Sequence, residues 1–348
     1  RATAAARAES TMAEPTADGL AANLDRFWAG WSDLANTPEP AAAQVVLTNA
    51  QVLVGQIAAG YQAVAGQWGD LRGQVDRDIA DVNAVAGQVA TLNGQIRDAL
   101  HAGRNANELI DQRNVLAQQL SSAIGATGVV ESDGTLTLRV DGNALVSGDS
   151  SRSLQVSGPR EISDAGRIVV SWADRPDVPV AVGGGVIGGT ISALAPAADG
   201  GTLAGVAAAY NDTAAALAAA VNDVHRTGVT AGGAAGGDFF ALDTTGPAAL
   251  GLSVVPTGLD QLALAAPGAG AKDTTIADRI SALGASATGP SKTWATFVTG
   301  FAVAVAGDLQ RADIADMGAV AAVTAQQSNA SVDGDEETIN LLTYQTAY

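Results

Sequence analysis

Large apolar residues recur through residues 61–100, at Tyr61, Val64, Trp68, Leu71, Val75, Ile79, Val82, Val85, Val89, Leu92, Ile96 and Leu100, in steps of 3 or 4 throughout. A mean step of about 3.5 keeps one apolar stripe facing a partner along a long helix. The polar residues between them, among them Asp70, Arg72, Asp76, Asn83 and Asn93, predict a solvated outer face. Gly66, Gly69, Gly73, Gly87 and Gly94 lie within the same stretch. Each weakens a helix by roughly 1 kcal/mol relative to Ala, so packing is expected to offset them. The expected partner is a second amphipathic stretch, Trp294, Val298, Phe301, Val305 and Leu309, continued by Ile314, Met317, Val320 and Val323.

Other segments fill in around this rod. Leu20, Leu24, Phe27, Trp28, Trp31 and Leu34 predict a helix over 18–35, ended by Thr37-Pro38-Glu39-Pro40. The rod then begins near Ala41, and Val45, Val46, Leu47, Val52, Leu53, Val54 and Ile57 leave its first half a wider apolar face, expected to meet more than one neighbour. Gly103 stops it, and Asn105 or Asn107 caps a successor through Leu109 to Ile124. After Gly125 the period falls to 2. Asp133-Gly134 and Asp141-Gly142 read as hairpin turns around Thr135–Val140, and short strands are expected over 153–156, 167–172 and 178–182. Helix returns over 203–226, the Gly- and Ala-rich run 228–237 reads as a surface loop, 251–264 holds a strand, and 273–283 is a short helix. From Ser291, read as its cap, a second long helix closes the chain.

The pattern predicts an α+β fold: an elongated helical bundle built from both chain ends, with an inserted small antiparallel β domain. Residues 1–125 and 285–348 are the two parts of the bundle, 126–197 the β domain, and 198–284 a returning helix with a Gly-rich loop and short strand and helix segments.

Charge narrows the function. Net charge is −18 over 348 residues, which repels phosphate backbones and anionic lipid heads, so neither nucleic acid nor a membrane is an expected partner. No apolar run approaches the ~18 residues of a spanning helix, and residues 1–7 lack the apolar core of a secretory signal. The chain is expected to be trimmed at both ends, at Arg1 and at Tyr348 within a helical pattern. With no cysteine, disulfides and thiolate chemistry are absent. His101 and His225 each end a helical stretch, a favourable place in the dipole field rather than a ligand position.

Three motifs invite a chemical reading. Gly183-Gly184-Gly185-Val186-Ile187-Gly188 matches a dinucleotide-binding fingerprint, but Pro176 and Pro179 demote the preceding strand and Pro196 limits any helix after it, so a connector is expected. Gly284, Gly289 and Lys292-Thr293 form a broken phosphate-loop pattern. Asp333-Gly334-Asp335-Glu336-Glu337 lacks the spacing of a calcium loop and reads as the acidic first turn of a helix. No catalytic, cofactor-binding or metal-ligating residue is assigned, and no enzyme activity is expected.

The segment Asn107-Glu108-Leu109-Ile110-Asp111-Gln112-Arg113-Asn114 before Leu120-Ser121 resembles a helix of the bacterial flagellar hook-associated protein 1 family. In order along the chain, Asp133-Gly134-Thr135-Leu136, Asp141 to Gly148, Val221-Asn222-Asp223-Val224-His225-Arg226-Thr227-Gly228 and Gly237-Asp238-Phe239-Phe240 are similar to later segments of that family. Near the start, Gly19-Leu20, Phe27-Trp28 and Asp33 to Pro38 match as well. The end, Ser331 to Glu337 and Asn340 to Tyr348, looks like the start of the terminal helix shared by rod, hook and hook-associated proteins. Only a short stretch separates Phe240 from Asp273, where larger members carry a further outer domain, so this is a compact member.

The resemblance implies a structural adaptor at the hook–filament junction of the bacterial flagellum, outside the cell and exported without a cleaved signal peptide. Flagellar hook protein, hook-associated protein 3, copies of itself in a ring, and an export chaperone for the full-length chain are the implied partners. Hook-associated protein 3 or flagellin is the alternative within the structural class, and a dinucleotide enzyme using Gly183 to Gly188 the alternative outside it. As given, the chain is expected to be a monomer whose full-length parent assembles.

Overall fold

The computed structural model describes residues 1–164, 166–270 and 272–330. It begins with helices α1 (Ala2–Met12), α2 (Leu20–Asn36), α3 (Pro40–His101) and α4 (Asn107–Ile124). Pro40 opens α3 at a position whose N–H would have no helical partner, and its ring presets the helical φ. The helix then runs unbroken for 62 residues, roughly 90 Å at the α-helical rise. It ends at Gly103, whose φ of 69° is left-handed. Neither Asn105 nor Asn107 is the cap of the next helix, which is Ala106; Asn105, one residue further out, accepts the Asn107 N–H at 2.8 Å. α2 lies along the first half of α3 and buries Leu24, Phe27, Trp28 and Trp31.

Strands β1 (Thr127–Val130), β2 (Leu136–Val140), β3 (Asn143–Ser147) and β4 (Ser150–Ser151) form one antiparallel sheet in chain order. Asp141 and Gly142, at φ 50° and 72°, make the two-residue turn between β2 and β3, the geometry that matches strand twist. β5 (Leu154–Ser157), β6 (Val169–Trp172) and β7 (Arg175–Pro179) form a second sheet, also in chain order. β7 starts and stops three residues before the expected 178–182 strand. It is an edge strand, where Pro176 and Pro179 need supply no inward ladder donor.

Both sheets lie along the second half of α3 and are bonded to it. Asn93, fully buried, accepts the Leu136 N–H at 2.9 Å and donates to the carbonyls of Leu136 and Gly148, each at 2.8 Å. Asn83 does the same for Leu154, with both bonds at 2.8 Å. Buried Arg72 donates to the Pro159 carbonyl at 3.0 Å and pairs with Asp76, which also meets Arg160. The expectation that this side of the rod is solvated is therefore corrected for Arg72, Asn83 and Asn93. A sheet presents backbone N–H and C=O groups, and an amide side chain is a complementary partner for both.

The remaining elements are α5 (Gly185–Ala193), α6 (Thr202–His225), β8 (Val229–Thr230), β9 (Phe240–Leu242), α7 (Ala248–Gly251), β10 (Leu252–Val254), β11 (Ala263–Ala265), α8 (Thr275–Ala282) and α9 (Pro290–Ala330). β9 pairs with β10 and β8 with β11. The run 228–237 is thus more than a surface loop. It contains β8, and a Cβ at Gly236 would stand 2.2 Å from the His225 carbonyl oxygen, so glycine is there for close packing.

The expected pairing of the α3 stripe with 294–323 is also corrected. α9 packs on α1, α2 and α6. The stripe is covered instead by α6 and α1 around Trp68, then by α4, α5 and the sheets, whose buried Leu136, Leu138, Val146 and Leu154 supply apolar surface closer at hand. α6 is wedged between α3 and α9. The Tyr210 ring lies against Gly60, where a Cβ would come within 2.3 Å of it, and on its other side meets Trp294 at 4.9 Å between centroids.

His225, at the end of α6, is buried beside Trp31 and Phe239. Its Nε2 accepts the Ala263 N–H at 3.0 Å, so the proton sits on Nδ1, which donates to the Gly237 carbonyl at 2.8 Å. The simple dipole placement expected for this residue gives way to a neutral bridge between two loops. Burial pushes its pKa down, against the opposing pull of the Gly237 bond and of Asp238.

Two outcomes follow from these contacts. Asn93→Ala strands the Leu136 N–H and C=O in the core and should lower unfolding free energy by about 2–4 kcal/mol, with loss of hydrogen-exchange protection at the Leu136 amide. The unfolded chain takes up a proton at His225 below its ordinary pKa of about 6.5 while the folded chain resists it. Stability should therefore be fully present above that pH and fall between pH 7 and pH 5. A His225→Phe variant should start less stable and lose that slope in thermal melts followed across the same window.

Candidate assembly surface

Gly183 to Gly188 packs against the end of α4. Gly185 has φ 68°, and a Cβ there would sit 2.5 Å from the Ala123 backbone, while one on Gly184 would sit 3.3 Å from the Gly125 Cα. Contrary to the connector expected there, α5 starts at Gly185, because Pro196 falls beyond its end at Ala193 and leaves room for two turns. The strand before it, β7, runs antiparallel to β6, so no parallel strand–helix–strand unit surrounds the run.

The broken phosphate-loop pattern is a turn and the start of α9. Gly284 lies on Trp28, with a Cβ position 2.7 Å from the indole. Ser291 is already inside α9 and accepts the Trp28 Nε1–H at 2.8 Å, so it is an anchor for α2 rather than the cap expected of it. His101 is exposed at the end of α3. Asp333 to Glu337 and Asn340 to Tyr348 lie outside the described residues. Among the described residues no three His, Asp or Glu side chains converge on a common point.

Segments that are distant in the family-like sequence pattern meet in space. Arg113, buried in α4, donates to the Gly134 carbonyl at 2.7 Å and so ties the Asp111-Gln112-Arg113 run to the Asp133-Gly134 turn. Burial without a facing carboxylate holds its pKa below the usual arginine value. Asn222 accepts the N–H groups of Phe239 and Phe240, both at 2.9 Å, and donates to the Phe240 carbonyl at 2.7 Å. Arg226 pairs with Asp238 beside it. The sequence places these residues on motifs, but the clasp between motifs becomes visible only in three dimensions.

Among the described residues, the far half of α9 is an apolar surface with no partner. Among the described residues of the helix, Phe301, Val305 and Asp308 are the last buried ones. Asp308 takes a 3.2 Å bond from the Arg1 guanidinium and a second from Arg311. Beyond it, Ile314, Met317 and Val320 are 58%, 64% and 66% exposed. An apolar concavity of about 550 Å³ lies between α3, α4 and α5, where Val82, Val85, Val115 and Val186 meet Asp78 and Asp81. Surfaces of this kind bury apolar area by association.

Residues 5–240 match the family described as the flagellar hook-associated protein FlgK helical domain. Flagellar hook-associated protein 1 of Escherichia coli (strain K12) is 28% identical over 242 residues, which are 66% of this chain and 43% of that protein. Its counterpart in Bacillus subtilis (strain 168) is 28% identical over 267 residues, 71% of this chain and 52% of that protein. The chain thus spans about half the length of the relatives it matches. The solved structure of the flagellar hook junction protein FlgK from Burkholderia pseudomallei has the same fold, with a TM-score of 0.79 over 95% of this chain and 97% of that one at 16% identity. By a match that covers more than half its length and includes the interlocked motifs described above, the chain belongs to the flagellar hook-associated protein FlgK helical domain family.

Proposed function

We propose that this chain is the body of a structural adaptor at the junction of flagellar hook and filament, joining the two by subunit packing and catalysing nothing. The observation that carries the reading is the far half of α9, a helix whose apolar side chains stand in water with no partner among the described residues. A monomer gains nothing by exposing them, whereas subunits stacked about an axis bury them. Family membership and the names of the relatives, hook-associated protein 1 and hook junction protein, support the same reading.

In this reading residues 1–125 and 285–348 form the axial body, 126–197 a β domain strapped along it, and 198–284 the return between them. Flagellar hook protein lies on one side and hook-associated protein 3 on the other, with further copies of the chain completing a ring. The intact protein leaves the cell through the flagellar export route, with a chaperone covering its apolar segments beforehand, and acts outside the cell.

The test separates folding from assembly. Ile314→Asp with Val320→Asp changes only exposed positions, so the stability of the isolated chain should move by less than about 0.5 kcal/mol. The same pair in the intact protein should abolish filament growth on hooks in cells lacking the native copy, counted by electron microscopy. Filaments at the wild-type frequency would overturn the proposal.

A further inference from the structure

Among the described residues, the first half of α3 is covered on one side only. From Pro40 to Gly69 it carries no charged residue, in a chain of net charge −18. An 18-residue window of α3 has a mean hydropathy of 1.3, long and apolar enough to cross a membrane, yet only 33% of it is buried. The stretch is not a continuous apolar run, since Gln and Gly interrupt it while the average stays high, and to that extent the expectation of no spanning-length segment is corrected.

The exposed residues are ordered. Val45, Val52, Ala59 and Gly66 recur at every seventh position, and Thr48, Gly55, Gln62 and Gly69 follow each of them by three. All are exposed, Val45 and Val52 at 50% each. This is the spacing of a seam that receives another helix, and it faces away from the buried Val46, Leu53, Ile57 and Tyr61, which meet α2 and α6.

Glycine supplies a second observation. Gly60 is explained inside the chain by the Tyr210 ring, but a Cβ at Gly55, Gly66 or Gly69 would meet nothing within 4 Å. Three residues that weaken a helix therefore have no compensating contact among the described residues. Their absent side chains do allow another backbone to come close.

We propose that this seam seats a helix of a second copy of the chain in the assembled state. The proposal rests on the adaptor reading and names a surface through which copies touch. Charge selects the occupant. Copies that each carry −18 repel where their acidic faces meet, and approach with less repulsion across this uncharged face. A basic partner would gain nothing from that face. The contact is shallow and works where other contacts already hold the copies close together.

These 348 residues hold no cysteine, so a single one can be placed within them once any cysteine elsewhere in the intact protein is replaced by serine. Val52→Cys in the intact protein, labelled with a benzophenone maleimide, would be assembled on isolated hooks and irradiated. Adducts of twice the chain mass are expected. Gly55→Ala, Gly66→Ala and Gly69→Ala combined should raise the melting temperature of the unassembled protein yet reduce those adducts, and occupancy of hook ends, at least tenfold. Adducts with hook protein alone, no adducts on occupied hooks, or a triple variant that assembles like the wild type would overturn the seam and leave the adaptor reading standing. Binding to phosphatidylcholine vesicles in place of a second copy would reassign the seam to a membrane and overturn the proposal. Failure of the wild-type protein to occupy hook ends would remove the adaptor reading and the seam with it.

Discussion

The fold depends on how the strands' backbone groups are satisfied where they meet helices. Small sheets of two to four strands cannot enclose themselves, and a buried strand face leaves N–H and C=O groups that must find partners. Here helices provide them through asparagine. Asn93 holds Leu136, Asn83 holds Leu154 and Asn222 holds Phe240, each accepting an N–H and donating to the C=O of the same strand residue. An asparagine used this way stands in for a neighbouring strand. Three sheet segments thereby become continuous with the helical body, and the strand register is set from α3 and α6.

Such clasps explain which parts of the architecture can be read from sequence. Element type was legible wherever period and punctuation agreed. The 3-and-4 beat of residues 61–100 becomes one helix, and Asp141-Gly142 makes a two-residue turn because both residues accept positive φ. Direction was less legible. Asn83 and Asn93 fall between apolar stripe positions, and polarity alone assigns such residues to water. Only the presence of a strand with free backbone groups sends them inward. The partner of the stripe was misread for a related reason: two helices of equal period look complementary in one dimension, whereas α6 and the sheets reach α3 first.

Glycine was the other ambiguous letter. In 228–237 and 183–188 it reads as looseness, yet Gly236 and Gly185 sit where a Cβ would strike backbone, and the chain there is tight. In α3 it reads as weakness to be offset by packing, which holds at Gly60 against Tyr210 but not at Gly55, Gly66 or Gly69. A sequence reports that a side chain is missing. Whether the vacated space is filled by the same molecule is a property of the fold. For the assembly surface the consequence is that its apolar residues were legible as a stripe, while their exposure was not.

Among the described residues, α9 is packed along its first half and exposed beyond Asp308, so Asp308 marks where its support ends. The support there is ionic: one carboxylate gathers Arg1 from the chain's start and Arg311 from the next turn of the helix. These charge pairs weaken as ionic strength rises, and they are backed by Phe301 and Val305, whose burial salt does not screen. In the isolated chain the direction in which the helix leaves the body therefore rests increasingly on Phe301 and Val305 as salt screens the pairs at Asp308.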